Sequence, residues 1–306
     1  MKTEQFQGLK LLFVLSIAFM HAGCPILGEG ADLCSFFFVI SGFFYKGNTA
    51  IGYRKYIWRK AYALLPLQWI CLGASILVNH LSVNWDIIPH LFLLQSYIPY
   101  KHFEFFNYNG VAWFLSSLFF CYCVSPFVYR CMLRVKNKLF LLLLFLIIIL
   151  LLYNCGYGEY RTWFIYISPI FRLMEYTLGM SLRQVVGRYD NGLILNKYVV
   201  VFLFSGYLLF LCFGVFGNSS AVLHVAFIAL LFWNPETFVT KILSLKSIVW
   251  LSKYCLYIYM SHCIFLALFS HLGGVRIPLA LFCSVCFGMG YEYVSRFAKS
   301  LYCLPA

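Results

Sequence analysis

A lysine and a histidine share one apolar stretch near the start of the sequence. Lys10 and His21 are eleven residues apart, and every residue between them is uncharged. On an α-helix this separation corresponds to about 16 Å along the axis, roughly half of the hydrocarbon core of a bilayer. A neutral imidazole can accept a proton near neutral pH, and an amine can bind an anion. The stretch therefore predicts a base and a cation that one helix holds apart.

Four further sets of polar residues lie within apolar segments of the sequence. They are an aspartate followed by aromatic residues and a serine, two cations before a proline, an Arg–Glu pair, and a histidine. The residues are Asp32 and Ser41, Arg59 and Lys60, Arg172 and Glu175, and His262. Ionisable groups inside a bilayer are costly, so several of them at compatible depths predict a polar interior. Cations at its cytoplasmic entrance suit an anionic ligand that carries phosphate.

The charged residues in these sets also have structural interpretations, which the sequence leaves open. Lys10 can extend its amine to the lipid headgroups. Arg59 and Lys60 are typical of the charges that orient a membrane protein. Arg172 and Glu175 are three residues apart, so on a helix they can neutralise each other.

The uncharged residues have structural alternatives as well. A histidine within the membrane, such as His21 or His262, can form a hydrogen bond between two helices. Ser41 and Gly42 are small enough to let two helices pack closely. The three-dimensional arrangement of these residues decides between the structural and the functional interpretations.

Composition places the chain among membrane proteins. Of its 306 residues, 63% are hydrophobic and 11% are charged, which is too apolar for a soluble domain. The net charge of +13 comes from short cationic runs between apolar segments, so no nucleic-acid partner is predicted. Most of the 13 cysteines lie inside apolar segments, where cysteine packs as a small hydrophobic residue. Cys24 and Cys34 flank an external loop, and a disulfide between them stays open as an alternative.

Ten apolar windows predict about ten transmembrane helices in an all-α membrane protein. They cover residues 9–27, 33–51, 60–79, 111–130, 139–155, 164–183, 197–216, 219–235, 250–270 and 276–296. A cytoplasmic N-terminus collects most lysines and arginines on the inner side, so both termini are predicted to be cytoplasmic. The whole chain, residues 1–306, is predicted to be a single membrane domain without an appended soluble domain.

The longest segment between the predicted spans is external. Within it, residues 86–98 are apolar but too short to span a bilayer, which predicts an interfacial or re-entrant helix. His80, His90 and His102 lie near this segment and are predicted to be interfacial or solvated. Their spacings match no metal-site pattern, and no bound metal is predicted for the chain.

Six motifs stand out along nearly the whole chain. They are QFQGLKLLFVLSIAFMH, GADLCSFFFVISGFF, RKAYALLP, VAWFLSSLFFCYCVSPFV, FRLMEYTLGM and YCLYIYMSH. In this order they resemble the motifs of the membrane acyltransferase-3 family, integral-membrane O-acyltransferases that modify bacterial surface and exported glycans. Lys10 stands where the family usually has arginine. Lysine keeps the positive charge but lacks the planar guanidinium that binds phosphate through two hydrogen bonds. The spacing from Asp32 to the aromatic residues is also lengthened, by Cys34 and Ser35.

The resemblance implies an enzyme that moves an acyl group, most often acetyl, from cytoplasmic acyl-CoA to a hydroxyl group of a surface or exported glycan. It implies a multi-pass protein of the bacterial plasma membrane. Its partners would be membrane lipid, acyl-CoA as the donor substrate, and a glycan or lipid-linked saccharide. No permanently bound cofactor is implied. The alternative is a translocator that moves a glycan or lipid-linked sugar without covalent chemistry.

The resemblance also implies roles for the polar residues. The catalytic residues would be His21 and Asp32, the donor-binding residues Lys10, Arg59, Lys60 and Arg172, and the other polar interior Ser41, Glu175 and His262. His21 would act as a general base or carry the acyl group transiently, and Asp32 would orient it. Arg172 or His262 would stabilise the donor or the oxyanion.

Overall fold

Helices make up most of the chain that the computed structural model describes, which is residues 3–28, 30–47, 52–99, 108–188, 194–213 and 220–301. These ranges contain no β-strand, which confirms the predicted all-α class. The α-helices are α1 (Gln5–His21), α2 (Gly30–Phe43), α3 (Tyr53–Val78), α4 (Ile87–Leu91), α5 (Trp113–Arg134), α6 (Lys138–Asn154), α7 (Pro169–Val186), α8 (Lys197–Cys212), α9 (Ala221–Trp233), α10 (Phe238–Leu243), α11 (Lys246–Ser252), α12 (Cys255–Leu268) and α13 (Arg276–Leu301).

Each predicted span overlaps a helix or two successive helices, but the helices differ in length. Three segments in the described part of the chain are long and apolar enough to cross a membrane, namely Tyr53–Val78, Gly110–Arg134 and Ser270–Phe297. A fourth is added if α11 and α12, which are bent by 66°, form one span. The apolar helices α1, α2, α6, α8 and α9 have 10–17 residues. Ten spans and cytoplasmic termini therefore stay predictions.

Two predicted spans differ in shape from their apolar windows. The window 9–27 stops being helical at His21, because Gly23 follows with a left-handed φ of 83° that ends the helix. The window 250–270 contains the bend between α11 and α12 and is not one straight helix. Apolar composition indicates burial in lipid, but it does not locate such breaks.

Helices α2 and α7 are the most extensively packed pair in the described chain. Gly42 of α2 lies against the carbonyl of Tyr176, and Gly179 of α7 lies against the carbonyl of Val39. A methyl group at either glycine would collide with these carbonyls, so a side chain would push the helices apart. Glycine at such a crossing lets the backbones of membrane helices approach closely. The close contact predicted for Gly42 is confirmed.

A π-helix at Trp163–Ile167 leads into α7 and ends at a break in the chain. Ser168 leaves the helical conformation, with a ψ of 127°, and Pro169 begins α7. Proline has no N–H, so the chain forms one backbone hydrogen bond fewer at this break. The carbonyl of Tyr166 accepts a hydrogen bond from Arg172 Nε at 2.8 Å. A carbonyl just before the break therefore fixes the side chain of Arg172 in α7.

The segment 86–98, which was predicted to be external, folds against α3 and does not form one continuous helix. Its helix α4 has 5 residues and ends before Leu93, whose φ of 57° is left-handed. Gln68 Nε2 donates a hydrogen bond to the carbonyl of His90 at 3.1 Å, and Trp69 Nε1 donates to the carbonyl of Leu91 at 2.8 Å. Side chains of α3 thus hold the end of α4, where helix carbonyls lack intrahelical partners.

His90, which lies outside the predicted spans, is buried. Its exposed fraction is 2%, and its ring centroid lies 5.2 Å from that of Tyr108. Burial lowers the pKa of His90 to about 4, against a smaller opposing effect of the nearby Asp86 carboxylate. The prediction of a solvated side chain is therefore wrong for His90, and an interfacial position stays a prediction. His80 is exposed, and His102 lies outside the described residues.

Candidate functional site

A cavity of about 480 Å³ lies where α1, α2, α3, α5 and α7 meet. Three lysines line it, and so do Ser41 and four tyrosines. The lysines are Lys10, Lys46 and Lys60, and the tyrosines are Tyr45, Tyr56, Tyr122 and Tyr176. None of the described residues that line the cavity is acidic. A space of this size, with cationic groups converging on it, is typical of a site for an anionic small molecule.

Lys10 and Lys60 reach the cavity beside aromatic rings. Lys60 Nζ lies 4.0 Å from the ring centroid of Tyr122 and 5.7 Å from that of Tyr56, and Lys10 Nζ lies 5.5 Å from that of Phe44. These distances are in the range of cation–π interactions. An aromatic ring carries no net charge, so it does not neutralise the amine. Within the described ranges, neither amine forms an ion pair with a carboxylate. Their charge is therefore directed at the cavity and not at a protein anion.

Arg59 and Lys60, which were both predicted to bind the donor, point in different directions from α3. Neighbouring residues on an α-helix point about 100° apart. Lys60 lines the cavity, whereas Arg59 is exposed and does not line it. Lys46, just after α2, supplies a third amine that sequence analysis had counted only among the inner-side charges. The signal for Lys46 was its position two residues after the aromatic motif that contains Ser41.

Arg172 and Glu175 form a buried ion pair that does not line the cavity. Arg172 Nη1 lies 2.6 Å from Glu175 Oε2, and both side chains are 0% exposed. Ser35 Oγ donates a hydrogen bond to Glu175 Oε1 at 2.7 Å, and the guanidinium carbon lies 5.4 Å from the ring centroid of Phe38. The two charges neutralise each other, as the structural interpretation of this pair predicted. The donor-binding role of Arg172 stays a prediction without a contact to the cavity.

His21 and His262 meet at the end of α1, with their ring centroids 5.2 Å apart. His21 is the last residue of α1 and is exposed, whereas His262 in α12 is fully buried. The side chain of His262 lies 3.0 Å from the carbonyl of Ile258 through Nδ1 and 3.3 Å from Cys263 Sγ through Nε2. A carbonyl only accepts, so Nδ1 carries the proton and Nε2 carries the lone pair. Two histidines predicted from separate motifs thus share one location.

Cys263 lies beside these two histidines, although it was not predicted to be a site residue. Its position inside an apolar segment indicated packing only, and the structure places its sulfur beside the lone pair of His262. The available signal was its position directly after the histidine in the motif YCLYIYMSH. We call His21, His262 and Cys263 the histidine–cysteine cluster.

Asp32 is buried in the first turn of α2 and does not contact the cluster through a hydrogen bond. No hydrogen bond or ion pair joins it to His21, although both residues lie in the described chain. Its backbone carbonyl accepts a hydrogen bond from His224 Nε2 at 2.8 Å, and Tyr207 lies 2.7 Å from His224 Nδ1. His224 was also missed, although it is a lone histidine in an apolar run. With both nitrogens bonded, it connects α2, α8 and α9.

The cavity and the histidine–cysteine cluster lie at opposite ends of α1. Lys10 and His21 belong to one uninterrupted helix, so they are about 16 Å apart along its axis. The residues that line the cavity include neither His21 nor His262. One helix therefore carries a lysine that lines the cavity near its start and a histidine of the cluster at its end.

Comparison with known proteins identifies one family that matches this chain. The family described as an acyltransferase domain matches residues 34–290, which is most of the chain. The match includes Ser41, Lys60 and His262. It begins after α1, so Lys10 and His21 lie outside the matched residues. Neither a curated protein nor a solved structure matches the chain.

Proposed function

The chain belongs to the membrane acyltransferase-3 family, and we propose that it transfers an acyl group from cytoplasmic acyl-CoA to a hydroxyl group of a glycan outside the membrane. Acetyl is the proposed acyl group. The observation that carries this proposal is the placement of a lysine-lined cavity and a histidine pair at the two ends of one helix. Coenzyme A has the same division, with phosphates at one end and the reactive thioester at the other.

On the donor side, the phosphates of acyl-CoA are proposed to bind in the cavity. Lys10, Lys46 and Lys60 all line it, and no carboxylate among the described lining residues opposes an anion. Charge-assisted hydrogen bonds from such amines to phosphate are stronger than those between neutral groups. Ser41 adds a hydroxyl group to the same wall. The four tyrosines offer further phenol groups and ring faces to the nucleotide.

The pantetheine arm is proposed to follow α1 from the cavity to the cluster. The distance is about 16 Å, which is comparable to the reach of an extended pantetheine arm. The described cavity stops short of His21, and α12 packs against α1 along this length. Donor binding must therefore separate side chains between α1 and α12. The acyl group would then arrive beside the two histidines.

At the acceptor side, His21 is proposed to act as the general base. Its exposed imidazole takes the proton of the acceptor hydroxyl while that oxygen attacks the thioester carbonyl. The new C–O bond forms, the C–S bond breaks, and the CoA thiolate receives the proton from His21. His262 suits this role less, because its Nδ1 is bonded to a carbonyl and the cluster encloses its Nε2. A transient acyl group on His21 is the alternative course.

The test uses purified protein in lipid and acyl-CoA labelled on the acyl group. Wild-type protein should move the label to a glycan acceptor, or release it slowly to water. His21→Ala should abolish both while the protein stays folded. His271→Ala, which removes an exposed histidine outside the cluster, is the matched control and should keep transfer.

Two results would contradict the proposal. Undiminished transfer by His21→Ala would remove the base assignment. Glycan transport that proceeds equally well without acyl-CoA, and with no label transferred, would favour the translocator.

A further inference from the structure

Three side chains of the histidine–cysteine cluster present ligand atoms to one point. A ring nitrogen of His21, a ring nitrogen of His262 and Cys263 Sγ all lie within 4.8 Å of one another. We propose that these three residues bind one Zn²⁺ ion. The sequence predicted no metal site here, because His21 lies far from the other two residues along the chain.

The atoms offered match the preferences of zinc. Zn²⁺ binds cysteine sulfur at about 2.3 Å and histidine nitrogen at about 2.0 Å in tetrahedral geometry, which puts neighbouring ligand atoms about 3.5 Å apart. Cys263 Sγ and His262 Nε2 are 3.3 Å apart, so they can bind one ion with little movement. Two imidazoles and one thiolate form a mixed N/S set, whereas magnesium and calcium prefer oxygen ligands.

The environment of His262 is that of a metal ligand. Histidines that bind metals usually donate their second N–H to a carbonyl or carboxylate, which fixes the tautomer and the direction of the ring. His262 Nδ1 donates in this way to the carbonyl of Ile258 at 3.0 Å, one helical turn earlier. The Nε2 lone pair therefore faces Cys263 and the ring of His21 before any ion binds.

Access and coordination number suit an open site. His21 is exposed while His262 is buried, so an ion can arrive from the surface and be held from inside. Three protein ligands leave a fourth tetrahedral position for water, as in zinc sites that are not purely structural. The cysteine thiol gives up its proton when it coordinates the ion.

Zinc at this place has a consequence that rests on the proposed function. A nitrogen of His21 that coordinates Zn²⁺ has no lone pair left to accept the proton of the acceptor hydroxyl. Zinc binding and acyl transfer by His21 are therefore mutually exclusive, and Zn²⁺ acts as an inhibitor that a chelator reverses. The thiol of Cys263 is a zinc ligand in this proposal, whereas the proton transfer proposed above uses the imidazole of His21.

The binding test uses Co²⁺ as a coloured probe for the zinc site in purified full-length protein. Wild-type protein should bind one Co²⁺ per chain and show thiolate-to-cobalt charge-transfer absorption, which Zn²⁺ then displaces. Cys263→Ser should lose this absorption. Cys24→Ser is the matched control, because Cys24 is an exposed cysteine that follows α1 but lies outside the cluster. Absence of the absorption in wild type, or its persistence in Cys263→Ser, would overturn the site.

The activity test separates the site from the proposed function. Cys263→Ser should require at least about tenfold more Zn²⁺ for half-inhibition of its own zinc-free acyl transfer, since loss of even an outer-shell partner weakens metal sites by that factor. Equal zinc sensitivity of the two proteins would overturn the inhibitory role. A cobalt signal in protein that transfers no acyl group would instead leave the metal site standing and count against the proposed function.

Discussion

The chain buries cationic side chains in two different ways. Arg172 is fully buried, paired with Glu175 at 2.6 Å, and surrounded by protein atoms. Lys10 and Lys60 are less buried, contact aromatic rings, and face a cavity whose described lining contains no acidic residue. The arginine has its counter-ion inside the protein, whereas the lysines have none in the described chain. The cavity therefore suits the anionic donor proposed above, whose phosphates would supply the counter-ion that these lysines lack.

The comparison assigns different roles to groups that look alike in the sequence. A cation that is paired and enclosed contributes to structure, and its removal leaves an uncompensated charge. A cation beside an aromatic ring and an open space can be removed with little effect on folding. Single substitutions in the two regions should therefore separate stability from ligand binding.

The largest effect is expected at the ion pair. Arg172→Ala leaves the Glu175 carboxylate buried without its partner, which typically costs about 3–5 kcal/mol of stability. We expect little folded protein in detergent, measured by size-exclusion chromatography and by the thermal midpoint. Replacement of both charges, as Arg172→Met with Glu175→Leu, should restore most of the stability, because it leaves no unpaired charge.

The double variant also tests the comparison itself. A folded double variant that transfers acyl groups normally would establish the pair as structural. A folded double variant with no affinity for acyl-CoA would show that Arg172 binds the donor as well, as predicted from the family resemblance.

His90 shows a third way to bury a basic group, which is to keep it uncharged. Its pKa of about 4 lies below the ordinary value of about 6.5, so between these values the unfolded chain binds a proton that the folded chain does not. The free energy of unfolding is therefore undiminished above pH 6.5 and falls as the pH decreases towards 4, by at most about 3 kcal/mol. Thermal midpoints measured from pH 7 to pH 4.5 should show this decrease.

His90→Gln is the control for this pH dependence. It removes the titrating group and keeps the backbone carbonyl that Gln68 contacts. An equally steep pH dependence in this variant would show that other groups cause the decrease.

An intermediate effect is expected at the cavity lysines. Lys10→Ala and Lys60→Ala should each raise the dissociation constant for acyl-CoA about tenfold or more, since a hydrogen bond to a charged group contributes about 1.5–3 kcal/mol. The thermal midpoint should change little. Lys10→Arg keeps the charge and should bind acyl-CoA nearly as well as wild type. Unchanged acyl-CoA binding by Lys10→Ala would show that the phosphates bind elsewhere.

The smallest effect is expected at Arg59, which is adjacent to Lys60 in the sequence but exposed outside the cavity. Arg59→Ala should change stability by less than about 0.5 kcal/mol, as is usual for an exposed side chain, and acyl-CoA affinity by less than about threefold. Binding measurements on Arg59→Ala and Lys60→Ala under the same conditions make the comparison direct. An Arg59→Ala defect as large as that of Lys60→Ala would mean that the donor reaches beyond the cavity.

Sequence patterns predicted what depends on neighbours along the chain. The apolar windows located the helices, and the spacing of Lys10 and His21 placed both on α1, because a helix fixes such distances by itself. The i, i+3 spacing likewise predicted the pair of Arg172 and Glu175. The end of α1 at His21 was missed because the apolar window was extended past Gly23, although a glycine at this position is a local signal that ends a helix.

Contacts between distant segments could not be read from the sequence. The predicted polar interior grouped His262 with His21, but their direct contact and the place of Cys263 were not predicted, since both require the packing of α12 against α1. The different surroundings of Arg59 and Lys60 also depend on how α3 is rotated towards its neighbours. The orienting role of Asp32 stays a prediction, because no hydrogen bond joins it to His21 in the described chain.

The break before α7 has a consequence for the hydration of Arg172. In water a guanidinium group is surrounded by oxygen atoms, and that shell is lost when the side chain enters an apolar interior. The carbonyl of Tyr166 and the carboxylate of Glu175 replace two of those oxygens, and the first of them is supplied by the π-helix before Pro169. The irregular turn thus replaces part of the solvent shell. A straight helix here would use the Tyr166 carbonyl within its own backbone, and the guanidinium would lose that oxygen.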